Sequence, residues 1–533
     1  MINAMLVASF IIIAAMFSTK LSQKIGIPSL LLFIALGLLF GRDGIFKLEF
    51  ENYQLVENIC SISLVFIIFY GGFGTRWKTA KPVAVKAIML STLGVFLTAA
   101  FVGMFCYLVL KMGLMESLLI GAIISSTDAA SVFSILKSKR LALKNQSAPL
   151  LELESGSNDP TAYMLTIIIL EIMNKPATYD KYILMIITQF LVGILAALIL
   201  SKLTLFIIKK FKLESNELSI IFYVGMILLT YALSTKGGGN GYLSIYIFGI
   251  ILGNQYIKNK NVIINFFDGI TALVQIGVFF LLGLLALPSK MPEIMLISLF
   301  IALFLTFVAR PIASFILLKP FKCSMNQIAL ISFAGIRGAS AIVFAIIATI
   351  SVSNIKYDIF HIVFCIVLFS IAFQGSLLPF VSKKLKMIDK NGDVLKTFTD
   401  YQEENEVQFI RLHINKNHPW NRFKIKNIIL PPEVLILMII RDGDKIIPNG
   451  NTLIDEEDIL IIAAPGVNDN NNIILNEVLI TKDHDWIKKE IRDIQMNPDN
   501  LIAIIKRGKK VIIPRGNTLI MEGDIVVLLN NTP

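Results

Sequence analysis

The stretch LLELESGSNDPTAYMLTIIIL, residues 150–170, places Asp159 within a long apolar segment. A second stretch, GAIISSTDAASVFSIL, residues 121–136, does the same with Asp128. A charge at the centre of a bilayer costs about 2.5–3.5 kcal/mol on insertion scales, so such residues face a polar cavity, pair with a partner or handle an ion or proton. The two stretches therefore predict a membrane protein whose carboxylates serve transport.

The composition excludes a soluble protein of this size. The chain has 533 residues, 55% of them hydrophobic and 16% charged, and so apolar a chain could not cover its surface with polar groups. Near Met387 the sequence becomes polar, which predicts a membrane domain over 1–385 followed by a soluble region. The net charge of +11 does not indicate nucleic acid as a partner, because the basic residues cluster in the short loops between apolar segments.

Thirteen apolar segments are long enough to be membrane helices. They cover about 3–19, 26–40, 58–74, 86–110, 114–137, 148–173, 182–209, 218–235, 240–256, 262–287, 294–317, 326–350 and 357–381. Alternate loops hold about twenty basic residues against about eight, and the basic set is cytoplasmic by the positive-inside rule. We therefore predict a multi-pass protein of the plasma (inner) membrane, with its N-terminus outside and its polar tail in the cytoplasm.

The fifth and twelfth segments contain polar or glycine-rich interruptions. These are Ser125-Ser126-Thr127-Asp128 and Gly335-Ile336-Arg337-Gly338. Paired interruptions in an odd number of helices suggest an inverted repeat of six plus six helices about one linking helix, with a binding site near the midplane. The prediction is an all-α polytopic membrane domain of 13 transmembrane helices, an inverted repeat with two broken crossing helices, plus small α+β cytoplasmic regulatory repeats.

Asp159 is the candidate for a carboxylate that is alternately protonated and cation-bound, since burial and nearby charges tune such groups. Ser155 lies one turn earlier on the same helical face and offers a hydroxyl oxygen. Asp128 and Thr127, from the first interruption, would add further oxygens. Such a set suits an alkali cation. Alternatively, Asp128 caps the helix that follows the interruption.

Four further residues are candidates for support of this site. Glu154 and Arg310 lie in separate apolar segments and are natural counterparts, because either one buried alone would be very costly. Arg337 would offset the negative C-terminal dipole of a half-helix, restrain the carboxylates, or reach the membrane interface. Asn158 is predicted to link the broken helices by hydrogen bonds.

At these residues the chain resembles the monovalent cation:proton antiporters of the NhaP and eukaryotic sodium/proton exchanger type. The matching stretches are GAIISSTDAASVFSIL, LLELESGSNDPTAYMLT and ISFAGIRGASAIVFA, within about residues 1–385. The resemblance implies a homodimeric transporter, not an enzyme, with a six-helix core that moves like an elevator. It also implies cation binding at Asp159, Ser155, Asp128 and Thr127, a Glu154–Arg310 pair, and electroneutral exchange.

The polar tail repeats itself at an offset of 66 residues, as PNGNTL (448–453) and PRGNTL (514–519) illustrate. Short β-rich runs between turn residues predict strands and hairpins, with one helix per unit near each Trp. The units, 386–466 and 467–533, resemble the RCK-C (TrkA-C) domain, although Glu457 replaces a glycine of its usual pattern. Some relatives of that domain bind a cyclic dinucleotide, so a nucleotide or cyclic dinucleotide is an unassigned candidate effector.

The function expected from these features is exchange of K⁺, favoured over Na⁺, for H⁺, regulated by the tail. Three alternatives stay open: a Na⁺/H⁺ antiporter of the same fold, a cation channel, and a sensor that binds a ligand without transport. A rival from another class, an intramembrane aspartyl protease, also needs two membrane carboxylates but lacks its G-x-G-D stretch here. The cysteines and histidines show no metal-ligand spacing, and GGGNGY (237–242) is not a dinucleotide-binding fingerprint.

Overall fold

A computed structural model gives the fold. It describes residues 2–25, 28–139, 141–174, 178–211, 216–255, 257, 260–352, 355–389, 407–416, 418–431, 434–441, 444–465, 474–480, 484, 486–487, 489–494, 500–507, 510–512, 514 and 516–530. The chain divides into two compact units, Met1–Tyr401 and Gln402–Pro533.

The first unit is built from helices. In chain order they are α1 (Ile2–Ile25), α2 (Ser29–Phe40), α3 (Tyr53–Gly74), α4 (Trp77–Ala80), α5 (Ala84–Leu108), α6 (Leu114–Ile123), α7 (Ala129–Ser138), α8 (Ser147–Asn174), α9 (Tyr179–Phe211), α10 (Asn216–Lys236), α11 (Gly241–Gly253), α12 (Lys260–Leu285), α13 (Pro288–Phe321), α14 (Met325–Phe333), α15 (Ala339–Ser351) and α16 (Ile359–Lys384). Each of the thirteen apolar segments overlaps at least one of these helices. Within the described residues, seven helices are long and apolar enough to cross a membrane, namely α3, α5, α9, α10, α12, α13 and α16.

The helices pack as two bundles. The first bundle contains α1–α3 and α9–α12, and the second contains α5–α8 and α13–α16. Glycines permit the closest crossings in a membrane bundle, because lipid offers no hydrophobic drive and close backbone contact must hold the helices together. In the first bundle, a Cβ on Gly37 of α2 would lie only 2.2 Å from the backbone oxygen of Phe280 on α12.

Both predicted interruptions are present as breaks. The helix α6 ends at Ile123 and α7 begins at Ala129, whereas α14 ends at Phe333 and α15 begins at Ala339. The backbones of the two breaks meet, since the amide of Asp128 donates to the carbonyl of Ile336 at 2.8 Å. The fifth and twelfth segments therefore touch at their breaks, within the second bundle.

A two-stranded clip joins the end of the helical unit to the loop before α8. Its strands are β1 (Ala142–Leu143) and β2 (Ile388–Asp389), which pair antiparallel. The amide of Lys144 extends the pairing by donating to the carbonyl of Met387 at 2.9 Å. The chain that leaves the last helix is thus hydrogen-bonded to the loop that connects α7 with α8.

The second unit contains two four-stranded antiparallel sheets with the same topology. The first sheet consists of β3 (Val407–His413), β4 (Leu435–Arg441), β5 (Asp444–Ile446) and β6 (Ile459–Pro465), in the order β3-β6-β4-β5. The second consists of β7 (Ile474–Leu479), β8 (Asn500–Arg507), β9 (Lys510–Ile512) and β10 (Ile525–Asn530), in the order β7-β10-β8-β9. Each sheet has its own apolar core.

The predicted helix near each Trp differs from the structure. In the described residues each tail repeat has instead a single 3₁₀ turn, Ile425–Asn427 in the first and Ile491–Asp493 in the second. The physical reason is the small area of each sheet. Trp420 and Trp486 pack together with these turns onto one face of their sheets, and a single turn is enough to cover that face. The described part of the tail is therefore β-rich where the sequence predicted α+β; Pro432 and Pro498, part of the predicted repeat, lie outside the described residues.

Each sheet contains the same arginine–aspartate ion pair, which the sequence analysis did not identify. Arg507 on β8 donates from Nε to Oδ1 of Asp524 and from Nη2 to Oδ2, both at 2.8 Å. Arg441 and Asp458 repeat the arrangement at 2.8 and 2.7 Å. Both aspartates are fully buried, so each carboxylate depends on its arginine for charge compensation.

We predict that Asp524→Asn loosens the second sheet alone. Loss of hydrogen bonds to a charged group costs about 1.5–3 kcal/mol, so amides of β8 and β10 should exchange faster by a corresponding factor in hydrogen-exchange measurements on the full chain. Asp458→Asn is the matched control and should affect β4 and β6 instead. Arg507 holds the pKa of Asp524 below its ordinary value, so this stabilisation is present above about pH 4 and is lost as the pH falls below that. Equal exchange in both sheets would contradict the prediction.

Candidate functional site

Asp159 lies at the middle of α8 beside the first break. Ser126, from that break, donates a hydrogen bond from its hydroxyl to Oδ1 of Asp159. The same hydroxyl is 2.8 Å from the hydroxyl of Ser340, on the first turn of α15. Asp159 is therefore linked through Ser126 to both broken segments, and its side chain stays half-buried.

Thr127 and Ser155 face each other across the same interface. Their hydroxyl oxygens are 2.9 Å apart. The side-chain amide of Asn158 donates to the hydroxyl of Thr127, so Asn158 links α8 to the break between α6 and α7. A hydrogen-bonded link of this kind is what the sequence predicted for Asn158, although α8 itself is continuous through Pro160.

Asp128 immediately precedes α7 and closes the break. Its Oδ2 accepts a hydrogen bond at 2.5 Å from the hydroxyl of Ser131, in the first turn of that helix. Gly338 allows this placement, because a Cβ there would lie 2.5 Å from the Cβ of Asp128. Asp128 therefore occupies a capping position and also borders the cavity described below.

Arg337 reaches from the second break to the first. Its Nη1 donates to the carbonyls of Ser125 at 2.8 Å and Ser126 at 2.6 Å. These carbonyls follow the end of α6, where helical acceptors lack partners and the helix dipole is negative. The sequence left three positions open for the Arg337 side chain. In the structure it lies at the C-terminus of a half-helix. Its backbone amide donates at 2.9 Å to Ser370, which begins a π-helical segment of α16.

Glu154 and Arg310 form a buried ion pair between α8 and α13, the partners that the sequence predicted. Their side chains are 0% and 2% exposed. Arg310 directly follows the π-helical segment Leu305–Ala309. Such segments shift the side chains that follow them around the helix and occur often at functional sites.

A cavity of about 430 Å³ opens beside Asp159. One wall comes from α3 and α12 of the first bundle, and the other from α7, α8, α15 and the first break. All four candidate cation and proton ligands line it, namely Thr127, Asp128, Ser155 and Asp159. The four support candidates, Asn158, Glu154, Arg310 and Arg337, are buried outside this lining.

The chemistry of the cavity is that of oxygen donors. The wall formed by α7, α8, α15 and the first break presents three carboxylates and three hydroxyls, those of Asp128, Glu152, Asp159, Thr127, Ser155 and Ser340. Such oxygen donors suit a hard monovalent cation. A carboxylate in such a place binds either the cation or a proton, because both compete for the same oxygens. The hydroxyls adapt to either state, since each can donate or accept a hydrogen bond.

Sequence reasoning missed Ser126 and Ser340 as neighbours of Asp159. Ser126 adjoins Thr127 in the first break, and Ser340 follows Arg337 by three positions. Both serines therefore lie within the sequence stretches that already contained predicted site residues. Which serine in each stretch reaches the carboxylate depends on how the two breaks cross. That crossing is a tertiary property without a signal in the local sequence.

Comparison with known families matches two parts of the chain. The profile described as "Sodium/hydrogen exchanger, transmembrane" matches residues 10–384. The profile described as "TrkA-C domain" matches residues 410–467 and 475–531. The helical unit and the two tail repeats therefore each have recognised relatives.

Individual proteins match over most of the chain. The K(+)/H(+) antiporter NhaP of Alkalimonas amylolytica is 32% identical over 461 residues, covering 86% of this chain and 80% of the relative. The K(+)/H(+) antiporter NhaP2 of Shewanella sp. (strain ANA-3) is 32% identical over 466 residues, covering 85% and 81%. Among solved structures, the sodium proton antiporter MjNhaP1 from Methanocaldococcus jannaschii superposes with a TM-score of 0.62 at 23% identity, over 72% of this chain and 99% of that structure. This last match shows the fold.

We predict that Arg310→Met destabilises the helical unit more than the double variant Glu154→Gln/Arg310→Met does. The single change leaves a buried carboxylate without its counter-charge, which typically costs about 3–5 kcal/mol, whereas removal of both charges avoids that cost. Thermal unfolding of the detergent-solubilised protein measures the difference. A single variant as stable as the double variant would contradict the prediction.

Proposed function

The chain belongs to the sodium/hydrogen exchanger family, and from this membership we propose that it is a secondary active antiporter that exchanges a monovalent cation for protons. The observation that carries the proposal is the position of Asp159. This carboxylate borders a cavity, is hydrogen-bonded to the first break, and lies beside the other oxygen donors of the site.

In the proposed cycle, Asp159 binds either a proton or the cation. Asp128, Ser155 and Thr127 supply further oxygens to the cation as it loses water. The hydrogen bond from Ser126 stabilises the ionised carboxylate until the cation arrives. Because one carboxylate serves both ligands in turn, one cation leaves for each proton that enters, which makes the exchange electroneutral.

The proposed support residues act without touching the cation. The Glu154–Arg310 pair ties α8 to α13, and Arg337 holds the end of α6 through backbone carbonyls. Asn158 keeps Thr127 in place. Together they would keep the break rigid, so that Asp159 meets ligands with fixed geometry.

We favour K⁺ over Na⁺ as the exchanged cation. Two relatives that are 32% identical over most of the chain are named as K(+)/H(+) antiporters, and TrkA-C domains occur in the tail. The alternative is a Na⁺/H⁺ antiporter of the same fold, since the solved structure at 23% identity is titled a sodium proton antiporter.

The proposed architecture in the plasma membrane has thirteen spans arranged as an inverted repeat. The alternation of basic loops supports an external N-terminus and a cytoplasmic tail. The contact between the two breaks supports the crossing of corresponding segments. We propose a homodimer with domain boundaries at 1–385, 386–466 and 467–533, by extension from the family resemblance.

The tail repeats are proposed to regulate exchange. The clip between β1 and β2 supports this role, because it hydrogen-bonds the segment that continues into the tail to the loop directly before α8. A force on β2 would therefore act on the helix that carries Asp159. A nucleotide or cyclic dinucleotide is the candidate effector, and we propose no cofactor.

Three rival functions fit the site less well. A channel would need an open filter instead of a carboxylate held by hydrogen bonds. An intramembrane aspartyl protease would need its two carboxyl groups to share a water or a proton, whereas Asp159 is bonded to Ser126 and Asp128 to Ser131. A sensor without transport would bind a ligand and move no ion, which the experiments below distinguish.

We predict that Asp159→Asn abolishes cation-dependent proton movement, because the amide can neither release a proton nor neutralise a cation. Proteoliposomes with an internal pH dye and an imposed K⁺ gradient measure the effect. Asp268→Asn is the matched control, since Asp268 lines the same cavity from α12 and bonds to Tyr70 at 2.9 Å; this variant should retain exchange.

The same assay with Na⁺, Li⁺ and Rb⁺ distinguishes the potassium hypothesis from its alternative. Exchange driven by K⁺ and Rb⁺ more strongly than by Na⁺ and Li⁺ supports it, and the reverse order supports a sodium antiporter. Exchange retained by Asp159→Asn would refute the proposed site.

We predict that truncation after Asp389, which keeps β2 but removes both tail repeats, leaves exchange active and alters its dependence on pH and K⁺ concentration. The reason is that the helical unit retains the whole site while losing its regulatory input. Truncation after Pro465, which removes only the second repeat, serves as the comparison. Identical profiles for both truncations and the full chain would contradict regulation by the tail.

A further inference from the structure

The segment GGGNGY, residues 237–242, joins α10 to α11 and has no part in the function proposed so far. Its glycines meet steric demands. Gly238 has φ of +78°, a left-handed conformation that favours glycine. A Cβ on Gly239 would lie 2.8 Å from the backbone nitrogen of Gly193 on α9. The segment is therefore a tight turn that packs closely against α9. The conformation of this turn sets the direction of the Asn240 side chain.

Asn240 is buried, and both ends of its side-chain amide have partners. Its Oδ1 accepts from the amide of Leu243 at 3.0 Å, which caps α11. Its Nδ2 donates at 2.7 Å to the carbonyl of Pro160 on α8. Because one partner is a donor and the other an acceptor, the orientation of the amide is determined by its contacts.

Pro160 directly follows Asp159, so this contact reaches the turn of α8 that carries the proposed ion-binding carboxylate. A proline inside a helix removes the hydrogen bond to the carbonyl four residues earlier, here that of Gly156. The backbone of α8 is thus weakened at Asp159. Asn240 supplies an additional bond to that turn from a different bundle.

Other residues of α11 contact the same side of α8. Tyr246 packs on Gly156, where a Cβ would lie 3.0 Å from the tyrosine ring. Tyr242 makes an edge-to-face contact with Tyr163, with ring centroids 4.9 Å apart. Contacts at positions 156, 160 and 163 follow helical spacing, so α11 supports α8 over two turns around Asp159.

We propose that Asn240 is a positioning residue for the antiport site: its bond to the Pro160 carbonyl holds the weakened turn of α8 so that Asp159 faces the cavity. This inference rests on the proposed antiport function. The residue touches neither cation nor proton, and it acts on the site through α8. Its loss would leave every ion-binding side chain present but would displace the carboxylate of Asp159.

The test compares two variants at position 240 in the reconstituted full chain. Asn240→Ser keeps an N-cap of similar quality, but its shorter side chain does not reach Pro160. Asn240→Asp keeps the capping oxygen and turns a second oxygen, instead of a donor, toward the Pro160 carbonyl. We expect the apparent KM for the transported cation to rise about three- to tenfold in Asn240→Ser, the effect of one lost hydrogen bond, and further in Asn240→Asp, with maximal rate retained.

The matched control is Asn254→Ser, at the other end of α11. The amide of Asn254 donates to the carbonyl of Thr75 at 2.8 Å, a bond of the same kind that stays beside α3 within the first bundle. This variant should leave KM unchanged. Thermal unfolding of all variants separates loss of positioning from loss of fold.

The outcomes are distinct. An unchanged KM in both variants at position 240, or an equal rise in Asn254→Ser, overturns the inference. Failure of both variants at position 240 to assemble while Asn254→Ser assembles also overturns it, because Asn240 would then be a folding determinant. If wild-type proteoliposomes show no cation-dependent proton movement, the proposed function itself fails.

Discussion

The hydrogen bonds from Arg337 to the carbonyls of Ser125 and Ser126 are the interaction on which the site depends. A helix that ends inside an apolar bundle leaves carbonyls that lipid does not satisfy. The guanidinium satisfies them and neutralises the end of the helix dipole. Only because the break is held in this way do Ser126, Thr127 and Asp128 project toward α8. The arginine thus makes an unfavourable backbone conformation stable enough to carry the polar side chains of the site.

Sequence reasoning succeeded for residues whose burial without a partner would cost much free energy, because that demand is visible in the local sequence. A carboxylate or guanidinium in an apolar segment demands compensation, so the Glu154–Arg310 contact followed from the sequence, and the breaks followed from their polar and glycine residues. It failed where geometry between distant segments decides. Neither the hydroxyl of Ser340 near Asp159 nor the amide of Asn240 on Pro160 has a local signature. In the tail, the strands followed from alternation, but one 3₁₀ turn replaced the expected helix because the sheets are small.

The polar residues of the helical unit divide by their surroundings. Thr127, Asp128, Ser155 and Asp159 border the cavity, whereas the charged pair and Arg337 are enclosed by protein. Groups that exchange ligands need access to water, and groups that hold the structure gain strength when water is excluded. In the tail this second rule applies to one partner of each ion pair: Asp458 and Asp524 are fully buried, whereas their arginines are 31% and 33% exposed. The two tail repeats share this pair although their loops differ in sequence.

The ion pair between α8 and α13 also constrains how the chain is made. Its partners are 156 positions apart, so at about 5–20 residues per second the ribosome delivers Arg310 roughly 8–30 s after Glu154. During that interval α8 has already left the ribosome without its counter-ion. A nascent chain that stalls before α13 therefore carries an uncompensated acid at the lipid insertion step. Completion of the pair therefore waits for the late helices, and the acid of α8 stays uncompensated until α13 has been synthesised.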